Sequence, residues 1–374
     1  MPLSKIQGID GQVTPNLGRR NLIINGAMQV AQRGVGPTEA GNGNYITVDR
    51  MQHWSYPSGA GRFTSTQSTG HQLNTGHDTA LKIDVTTADA SIGASDYYEI
   101  LQRIEGKNLQ HLRWGTAAAK KLQVSFWVRA TKTGVNALFC SKQGTGTDYR
   151  NVVEFTINAS DTWEHKTVEI PALTASTIAN DASTYIQIGW VLAMGSSFQN
   201  GTAGTWTTQS FYTTANAVNH MDSTANDFYI TGFQVEVGDT ATDFEHRSFA
   251  EELQLCKRYF QILFDKGHQY HANAGFIYQT NSASTQVHFP VEMRTDPAAT
   301  RVGTLENSSG GFVGASSWSI YYSGSWRGCS LCQTTDISAN SMRLDFNAHS
   351  GMTNGGACGI YAGSGSYFEL NAEI

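Results

Sequence analysis

The hydrophobic period changes twice between positions 234 and 264, and this restricts the fold more than any other feature of the sequence. The segment opens as an alternating strand, with Phe233, Val235 and Val237 on one face, and a Gly-Asp pair ends that strand. A run of aromatic and branched residues, 259–264, closes the segment and predicts another strand. The sequence therefore predicts two β-domains joined by a short connecting element.

The connecting element is predicted to be a short helix that begins with a capping box. In Ser248-x-x-Glu251 the serine oxygen can accept from a first-turn N–H while the glutamate reaches back to the N-cap. Phe249, Leu253 and Cys256 follow at spacings of four and three residues, so they are expected on one buried helix face. The residues expected to hold the junction between the two domains are Phe244, His246, Arg247, Ser248 and Glu251.

Short strands separated by Gly, Asn and Thr turns fill both predicted domains. Upstream of the junction the expected strands cover 22–24, 81–85, 97–104, 122–130, 151–157, 166–170, 185–192 and 227–237. Downstream they cover 275–279, 286–289, 317–322, 330–333, 341–346, 357–361 and 367–371, and the stretches 64–79 and 193–221 are expected to be long loops. This pattern predicts an all-β protein. The expected units are a jelly-roll-like β-sandwich over 21–245, a linking helix and the start of the next strand over 246–263, and a second, smaller antiparallel β-sandwich over 264–374.

Charge and apolar content exclude several classes of protein. The net charge is -6 and charged residues make up only 15% of the chain, whereas a nucleic-acid-binding face needs clustered Lys and Arg. No apolar run approaches the ~18 residues of a membrane span, and the N-terminus lacks the apolar centre of a signal peptide. We therefore expect a soluble protein made in a cytoplasm, with no membrane insertion.

The cysteines do not predict a metal centre or a disulfide framework. The chain has five cysteines, and Cys329 and Cys332 form its one C-x-x-C, with Cys358 as the nearest further thiol and no fourth ligand evident. We interpret them as small buried apolar residues. No dinucleotide or phosphate-loop motif is present, so no cofactor is expected.

Catalytic motifs are sparse, and the chain is not expected to be an enzyme. There is no Gly-x-Ser-x-Gly and no His-Glu-x-x-His. Glu99, Glu105 and Glu154 are candidates for the carboxylate pair of a glycosidase, if two of them lie within the required ~5–9.5 Å. His246, between Glu245 and Arg247, has two interpretations: a general base, or a hydrogen-bonded corner residue that locks the junction, which is favoured.

Four segments of the sequence carry motifs of a known family. They are NLIINGAMQVAQRG at 21–34, QRIEG at 102–106 with SFWVR at 125–129, QVEVG at 234–238 with FEHR and EELQLCKRY at 244–259, and FPVEMR at 289–294. These segments resemble tailed-bacteriophage fibre and receptor-binding proteins that carry a jelly-roll domain like that of carbohydrate-binding modules. One departure is that Met51 follows Asp49-Arg50 where the family has tryptophan, which in this chain comes at Trp54.

The resemblance implies a virion structural protein, synthesised in the host bacterial cytoplasm and assembled as a homotrimer. Residues 1–20 would then be a virion-attachment arm that docks onto phage tail or other virion proteins, with Ile6, Val13 and Leu17 as its apolar contacts. Three weak sites on one trimer would raise avidity without any new contact. The short helix is a candidate to line the three-fold axis.

The distal domain would carry the receptor-binding tip, which meets a host surface polysaccharide or protein. Sugar recognition needs aromatic faces beside amide or charged groups. Two alternatives stay open: a capsid- or tail-decorating fibre without specific recognition, and a cell-surface glycan hydrolase or deacetylase. The residues proposed from the sequence to bind the receptor are Trp318, Tyr321, Tyr322, Trp326, Arg327 and Asn340.

Overall fold

The structure, a computed structural model, describes residues 19–56, 61–264, 270–305, 317–348 and 351–374. Strands dominate these residues and helices are few, which confirms the predicted all-β fold. The expected attachment residues Ile6, Val13 and Leu17 lie outside the described residues. Within the described part of the chain, no helix combines the length and apolar character needed to cross a membrane.

Two six-stranded antiparallel sheets form the described part of the first half of the chain. Its strands are β1 (Thr38–Glu39), β2 (Asn42–Tyr45), β3 (Gln52–Tyr56), β4 (Arg62–Ser68), β5 (Ala80–Thr87), β6 (Tyr97–Glu105), β7 (Leu122–Ala130), β8 (Gly134–Lys142), β9 (Tyr149–Ile157), β10 (Glu164–Ile170), β11 (Thr184–Met194) and β12 (Asp227–Val237). Sheet A has the order β1-β4-β5-β12-β7-β10, and sheet B has the order β2-β3-β6-β11-β8-β9. The two sheets pack face to face as the predicted sandwich.

Alternating side chains of the two sheets fill the space between them. Trp190 of β11 is fully buried at the centre of this core. Its ring centroid lies 5.1 Å from that of Phe126 on β7 and 4.5 Å from that of Phe233 on β12. Because each fully buried Phe contributes about 1.5–3 kcal/mol, this three-ring contact between the sheets is a major stabilising element.

The structure adds strands where the sequence predicted none. Strand β8 was missed because its side chains are buried on both faces, so its sequence, GVNALFCSK, lacks a polar alternation. The stretch 64–79, expected as a loop, contains most of β4 and a short helix, α1 (Gln72–Thr75). The stretch 22–24, expected as a strand, has no strand assignment, although Leu22 N–H donates to Val235 O at 2.8 Å.

The linking helix α2 (Phe249–Lys257) begins at the predicted N-cap. The Ser248 hydroxyl oxygen accepts from the Glu251 backbone N–H at 3.2 Å, as the capping-box pattern requires. The Glu251 carboxylate pairs with Arg19 at 3.2 Å. The serine half of the capping box therefore forms, whereas the Glu251 side chain pairs with Arg19, which precedes the first strand of the sandwich.

The predicted apolar face of α2 is wrong in part. Cys256 is buried, but Phe249 is 54% exposed. The buried side of the helix also carries Glu252, which accepts from the backbone N–H of Asn25 and from Arg247 at 2.9 Å. Hydrogen bonding to the sandwich decides the rotation of the helix, because a buried carboxylate must be paired.

Among the described residues, ten strands form the second half of the chain. They are β13 (Phe260–Leu263), β14 (Tyr270–Gln279), β15 (Ser282–His288), β16 (Ala298–Val302), β17 (Thr304–Leu305), β18 (Ser317–Tyr322), β19 (Ser325–Thr335), β20 (Ser341–Ala348), β21 (Ala357–Ala362) and β22 (Tyr367–Asn371). Three of them form a sheet of order β13-β22-β16, and seven form a sheet of order β17-β18-β19-β20-β15-β14-β21. Strand β18 also pairs with β21. The strands β18, β19, β20, β15, β14 and β21 therefore close into an antiparallel barrel, in that order.

The two halves meet through buried ion pairs and cation–π contacts. Glu105, at the end of β6, accepts from Arg258 Nε at 2.7 Å and Nη2 at 2.9 Å and from the Tyr259 hydroxyl. Burial alone would raise the pKa of Glu105, but these hydrogen bonds lower it below its usual value. The guanidinium of Arg50 lies 3.5 Å from the Tyr259 ring centroid. The junction is therefore closely packed and paired in charge.

Candidate functional site

A cleft of about 350 Å³ opens on the outer face of sheet B, the face turned away from sheet A. Leu101, Phe139 and Val191 point to this face, because they form an apolar cluster separate from the main core. A volume near 300–1,000 Å³ is typical of small-molecule sites. The residues that line this sheet B cleft are Trp54, Tyr97, Glu99, Arg103, Gln143, Gln187, Met194, Phe198, Ser210 and Tyr212.

Strand register places the polar lining residues in rows across sheet B. Trp54 of β3 pairs with Glu99 of β6, and Glu99 pairs with Val191 of β11. Four residues further along β6, Arg103 pairs with Gln187 of β11. Since side chains two residues apart along a strand share a face, these rows present their side chains on the same outer surface.

The segment between β11 and β12 forms the wall of the sheet B cleft. Phe198 packs edge-on against Tyr97, with ring centroids 5.8 Å apart, and Tyr212 packs edge-on against Phe139 at 5.3 Å. The Tyr97 ring also lies 5.9 Å from the Trp54 ring. The stretch 193–221, expected as a long loop, is thus fixed over the sheet by its aromatic residues.

Glu99 is buried in the cleft lining without a full set of partners. It is 8% exposed, and its Oε2 has no hydrogen-bond partner among the described residues. Burial raises the pKa of Glu99 to about 8, against a smaller opposing effect of Arg103. The Nε1 of Trp54 is likewise buried and unpartnered within the described part of the chain. Such atoms are rare in folded proteins, and both residues line the cleft.

Arg103 is held in place by amides rather than by a carboxylate. Its Nε donates to Gln52 Oε1 at 2.8 Å, and its Nη2 lies 3.0 Å from the side-chain amide of Gln187. The side-chain amides of Gln143 and Gln187 lie 3.0 Å apart. The sheet B cleft therefore presents one guanidinium, two amides and a carboxyl group beside three or more aromatic rings.

The carboxylates considered for glycoside hydrolysis do not come together. Glu105 is occupied at the junction with Arg258. Glu99 and Glu154 lie in one row but three strands apart, across β6, β11, β8 and β9. At a strand spacing of about 4.8 Å this separation is roughly 14 Å, beyond the ~5–9.5 Å that such a pair needs.

The distal residues chosen from the sequence separate into three environments. Trp318 is fully buried in the barrel core, where its indole N–H donates to Val302 O at 3.0 Å, so it cannot contact a receptor. Tyr321 is 37% exposed, and its ring lies 4.8 Å from that of Trp326, which in turn lies 4.6 Å from Tyr361. Tyr361 is buried at 8% exposure, so this Tyr321–Trp326–Tyr361 cluster reaches the surface through Tyr321 and Trp326, and its role in receptor binding stays a prediction.

The other three distal candidates, Tyr322, Arg327 and Asn340, lie in different places on the barrel. Tyr322 is half-buried and packs against the barrel core. Arg327 donates to Gly351 O at 3.5 Å. Asn340 is exposed in the turn after β19, whereas Trp326 lies near the start of that strand. Since β19 spans 11 residues, roughly 35 Å at ~3.3 Å per residue, Asn340 and Trp326 lie at opposite ends of the barrel.

Within the described part of the chain, three of the predicted junction residues, Phe244, His246 and Arg247, contact the first half of the chain. Arg247 donates to Ile23 O at 3.0 Å and to Asn21 O, and it pairs with Glu252. Phe244 packs edge-on against His77, with ring centroids 4.6 Å apart. His246 is exposed and stacks on the same His77 ring at 5.3 Å, so its contact is a ring contact rather than the expected hydrogen bond.

Sequence reasoning missed most of the sheet B cleft. Glu99 was noticed only as a possible catalytic carboxylate, and Trp54, Tyr97 and Arg103 were not chosen. A partial signal exists in β3, where Trp54 and Tyr56 alternate with His53 and Ser55. That alternation indicates an aromatic outer face on β3. The other residues that line the cleft come largely from β6, from β11 and from the segment that follows β11, which are far from β3 in the sequence.

No protein-family model matches the chain, and no curated protein matches it. Three solved structures illustrate what it is similar to. An enzymatically active domain of tailspike protein 4 from bacteriophage CBA120 has 10% identity and a TM-score of 0.31, with 58% of this chain and 21% of that chain covered. The CBM22-2 xylan-binding domain of Paenibacillus barcinonensis Xyn10C has 14% identity and a TM-score of 0.30, with 54% of this chain and 100% of that chain covered.

A family 11 carbohydrate-binding module of the Clostridium thermocellum cellulase Lic26A-Cel5E is also similar, at 10% identity and a TM-score of 0.29, with 56% of this chain and 98% of that chain covered. The region shared with the tailspike domain spans only about a fifth of that chain. The description of the sandwich in this protein rests on the strand pairing within its own two sheets.

Proposed function

We propose that this protein is a non-enzymatic, glycan-binding structural protein of a tailed-phage virion. The observation that carries glycan binding is the sheet B cleft, in which Trp54, Tyr97 and Tyr212 lie beside Arg103 and the Gln143–Gln187 amides. Aromatic rings pack against the apolar face of a sugar ring, and guanidinium and amide groups bond its hydroxyls. The virion assignment is supported by the four segments that resemble phage fibre proteins.

Binding of the purified full chain to an array of bacterial surface glycans tests the proposed function. We expect Trp54→Ala to weaken binding about tenfold or more, because it removes one stacking face and about 1.4 kcal/mol or more of contact energy. The matched control is Trp163→Ala, a partly buried tryptophan of the first half that does not line the cleft. Absence of binding to any glycan on the array, or binding that Trp54→Ala leaves unchanged, would contradict the assignment of this cleft.

The Tyr321–Trp326–Tyr361 cluster favours a second candidate site for a receptor. The Trp326 ring lies 4.8 Å from that of Tyr321 and 4.6 Å from that of the buried Tyr361, and Tyr321 is exposed on the barrel. If Trp326→Ala abolishes binding to host cells while Trp54→Ala does not, the barrel is the receptor-binding element. A purified protein that neither binds host cells nor blocks phage adsorption would instead fit a decorating fibre.

We propose that the protein acts as a homotrimer located on the virion surface, attached through residues 1–20. Three copies of the sheet B cleft would bind a repetitive polysaccharide with higher avidity than one. Sedimentation equilibrium is expected to give three times the chain mass of 40.7 kDa, and a monomer would contradict the trimer. Immunogold labelling of intact particles tests the location on the virion.

A further inference from the structure

Arg103 places a positive charge in the sheet B cleft. It is held by amides, through Nε to Gln52 and through Nη2 to the Gln187 amide, and it forms no ion pair with a carboxylate of the described residues. Because this guanidinium is partly exposed and is held by neutral groups, it can still pair with a bound anion. The cleft is thus prepared for a negatively charged group.

On the basis of the proposed glycan-binding function, we infer that the sheet B cleft takes a carboxylate-bearing sugar, such as a hexuronic or sialic acid, and that Arg103 pairs with its carboxylate. Guanidinium and carboxylate groups match as a fork of two parallel hydrogen bonds. Trp54 and Tyr97 would cover the ring, and the amide of Gln143 would bond its hydroxyls.

Glu99 does not oppose an acidic ligand near neutral pH. Its side chain is buried, and burial raises its pKa to about 8, so below that pH it is mostly protonated and can donate a hydrogen bond. Its unpartnered Oε2 faces no other protein group within hydrogen-bond distance in the described structure. The carboxyl group thus serves as a donor to the sugar at pH 6–7 and becomes a repelling anion as the pH rises.

The other titratable groups around Glu99 do not change this balance. On β6 they are Tyr97 and Arg103, and from β3 and the covering segment they are Tyr56 and Tyr212. Burial raises the pKa of Tyr97 above its usual value, so this phenol stays neutral. Near Tyr212, Arg150 already has a carboxylate partner, Asp148, at 3.5 Å. Among the described lining residues, Arg103 is therefore the charge that selects the ligand.

The test compares a panel of uronic- and sialic-acid oligosaccharides with the same oligosaccharides after reduction of their carboxyl groups. Binding to the full chain is measured by titration calorimetry at pH 6.5. We expect at least tenfold tighter binding of the acidic members. Arg103→Gln is expected to lower that affinity about 10–100-fold, Arg103→Lys less, and the matched control Arg343→Gln in the barrel not at all.

A pH series separates the role of Glu99 from that of Arg103. Affinity for the acidic sugar is expected to fall as the pH rises from 6.5 to 9, and Glu99→Gln should flatten this dependence. Binding of reduced sugars alone, unaffected by Arg103→Gln, would overturn the inference and leave the proposed function standing. Binding of neither panel would overturn both. Acidic binding that survives Arg103→Gln but not Trp54→Ala would overturn the inference alone.

Discussion

Arg50 in the first half of the chain and Glu373 beyond the last strand form an ion pair whose side chains are only 1% and 5% exposed. Arg33 adds a second contact to the same carboxylate at 3.3 Å. The guanidiniums of Arg33 and Arg50 also lie 3.6 Å and 3.5 Å from the ring centroids of Phe260 and Tyr259. The Glu373 carboxylate therefore binds two guanidiniums, which pack on the rings of Tyr259 and Phe260 at the start of β13.

Glu373→Ala is expected to destabilise the protein by about 3–5 kcal/mol, because it leaves the buried Arg50 guanidinium without its counter-ion and leaves Arg33 with Asp49 alone, at 3.9 Å. The measurement is the free energy of unfolding from denaturant titration at neutral pH. The matched control is Glu39→Ala, whose partner Arg62 lies 3.9 Å away in an exposed pair. That pair is expected to contribute at most about 1 kcal/mol. Equal losses in the two variants would show that the buried pair has no special role.

Trp318 and Trp326 are expected to behave as opposites. Trp318→Ala should cost about 3–5 kcal/mol of stability, because it opens a cavity among Phe264, Phe346 and Phe368. Trp326→Ala removes a half-buried surface ring and should cost clearly less. Thermal unfolding of both variants measures the difference. A Trp318 variant as stable as the parent would disprove its placement in the barrel core.

Ser248→Ala is expected to destabilise the protein by about 1 kcal/mol, since it removes the acceptor for the Glu251 N–H at the first turn of α2. Ser248→Asp should restore the loss, because aspartate is an equally good N-cap and favours the positive end of the helix dipole. The control is Gln254→Ala, at an exposed position of the same helix, which should leave stability nearly unchanged. Hydrogen exchange at the helix start reports the local effect, and equal exchange in the Ser248→Ala and parent proteins would contradict the cap.

Acid is expected to destabilise the first sandwich through its buried histidines. Burial lowers the pKa of His53 and of His220 to about 4, whereas an unfolded histidine titrates near 6.5. Between these values the unfolded chain binds more protons than the folded one, so stability is full above pH ~6.5 and falls as the pH decreases toward 4. Each histidine contributes on the order of 2–3 kcal/mol to this loss.

Replacement of one buried histidine isolates its share of the acid effect. His53→Leu should lessen the loss of stability between pH 6.5 and 4.5, which differential scanning calorimetry measures as the shift in Tm. His288→Leu, at an exposed position of β15, is the control and should leave the slope unchanged. An unaltered slope in the His53 variant would contradict a neutral, buried imidazole at this site.

Local features were predictable from the sequence. Ser248 and Glu251 are three residues apart, so one helical turn brings them together whatever the rest of the chain does. The alternation in β12 was clear for the same reason. The same alternation in β18 indicates that Trp318 is not a surface residue, because Trp318 shares its strand face with Ile320, which is apolar and buried.

The sheet B cleft could not be read from the sequence in the same way. Trp54 and Glu99 are 45 positions apart and meet only because β3 pairs with β6 in one particular register. Arg103 meets Gln187 across a longer separation in the sequence, and Tyr212 reaches the site through the segment between β11 and β12, which is irregular apart from the 3-10 turn Ser196–Phe198. Such contacts depend on the register between strands that are not consecutive in the sequence, and a one-residue shift in that register would turn their side chains to the opposite face.

The pairing of β13 with β22 has a mechanical consequence for any attachment made by the barrel. Phe260 is opposite Asn371, and Leu263 is opposite Phe368, so the polypeptide enters and leaves the barrel side by side. Tension applied at the outer barrel end would be divided between two strands, each fixed at its base by its own carboxylate, Glu105 or Glu373. Separation of the barrel from the sandwich would therefore require both contacts to break, and the chain would still join the two through α2.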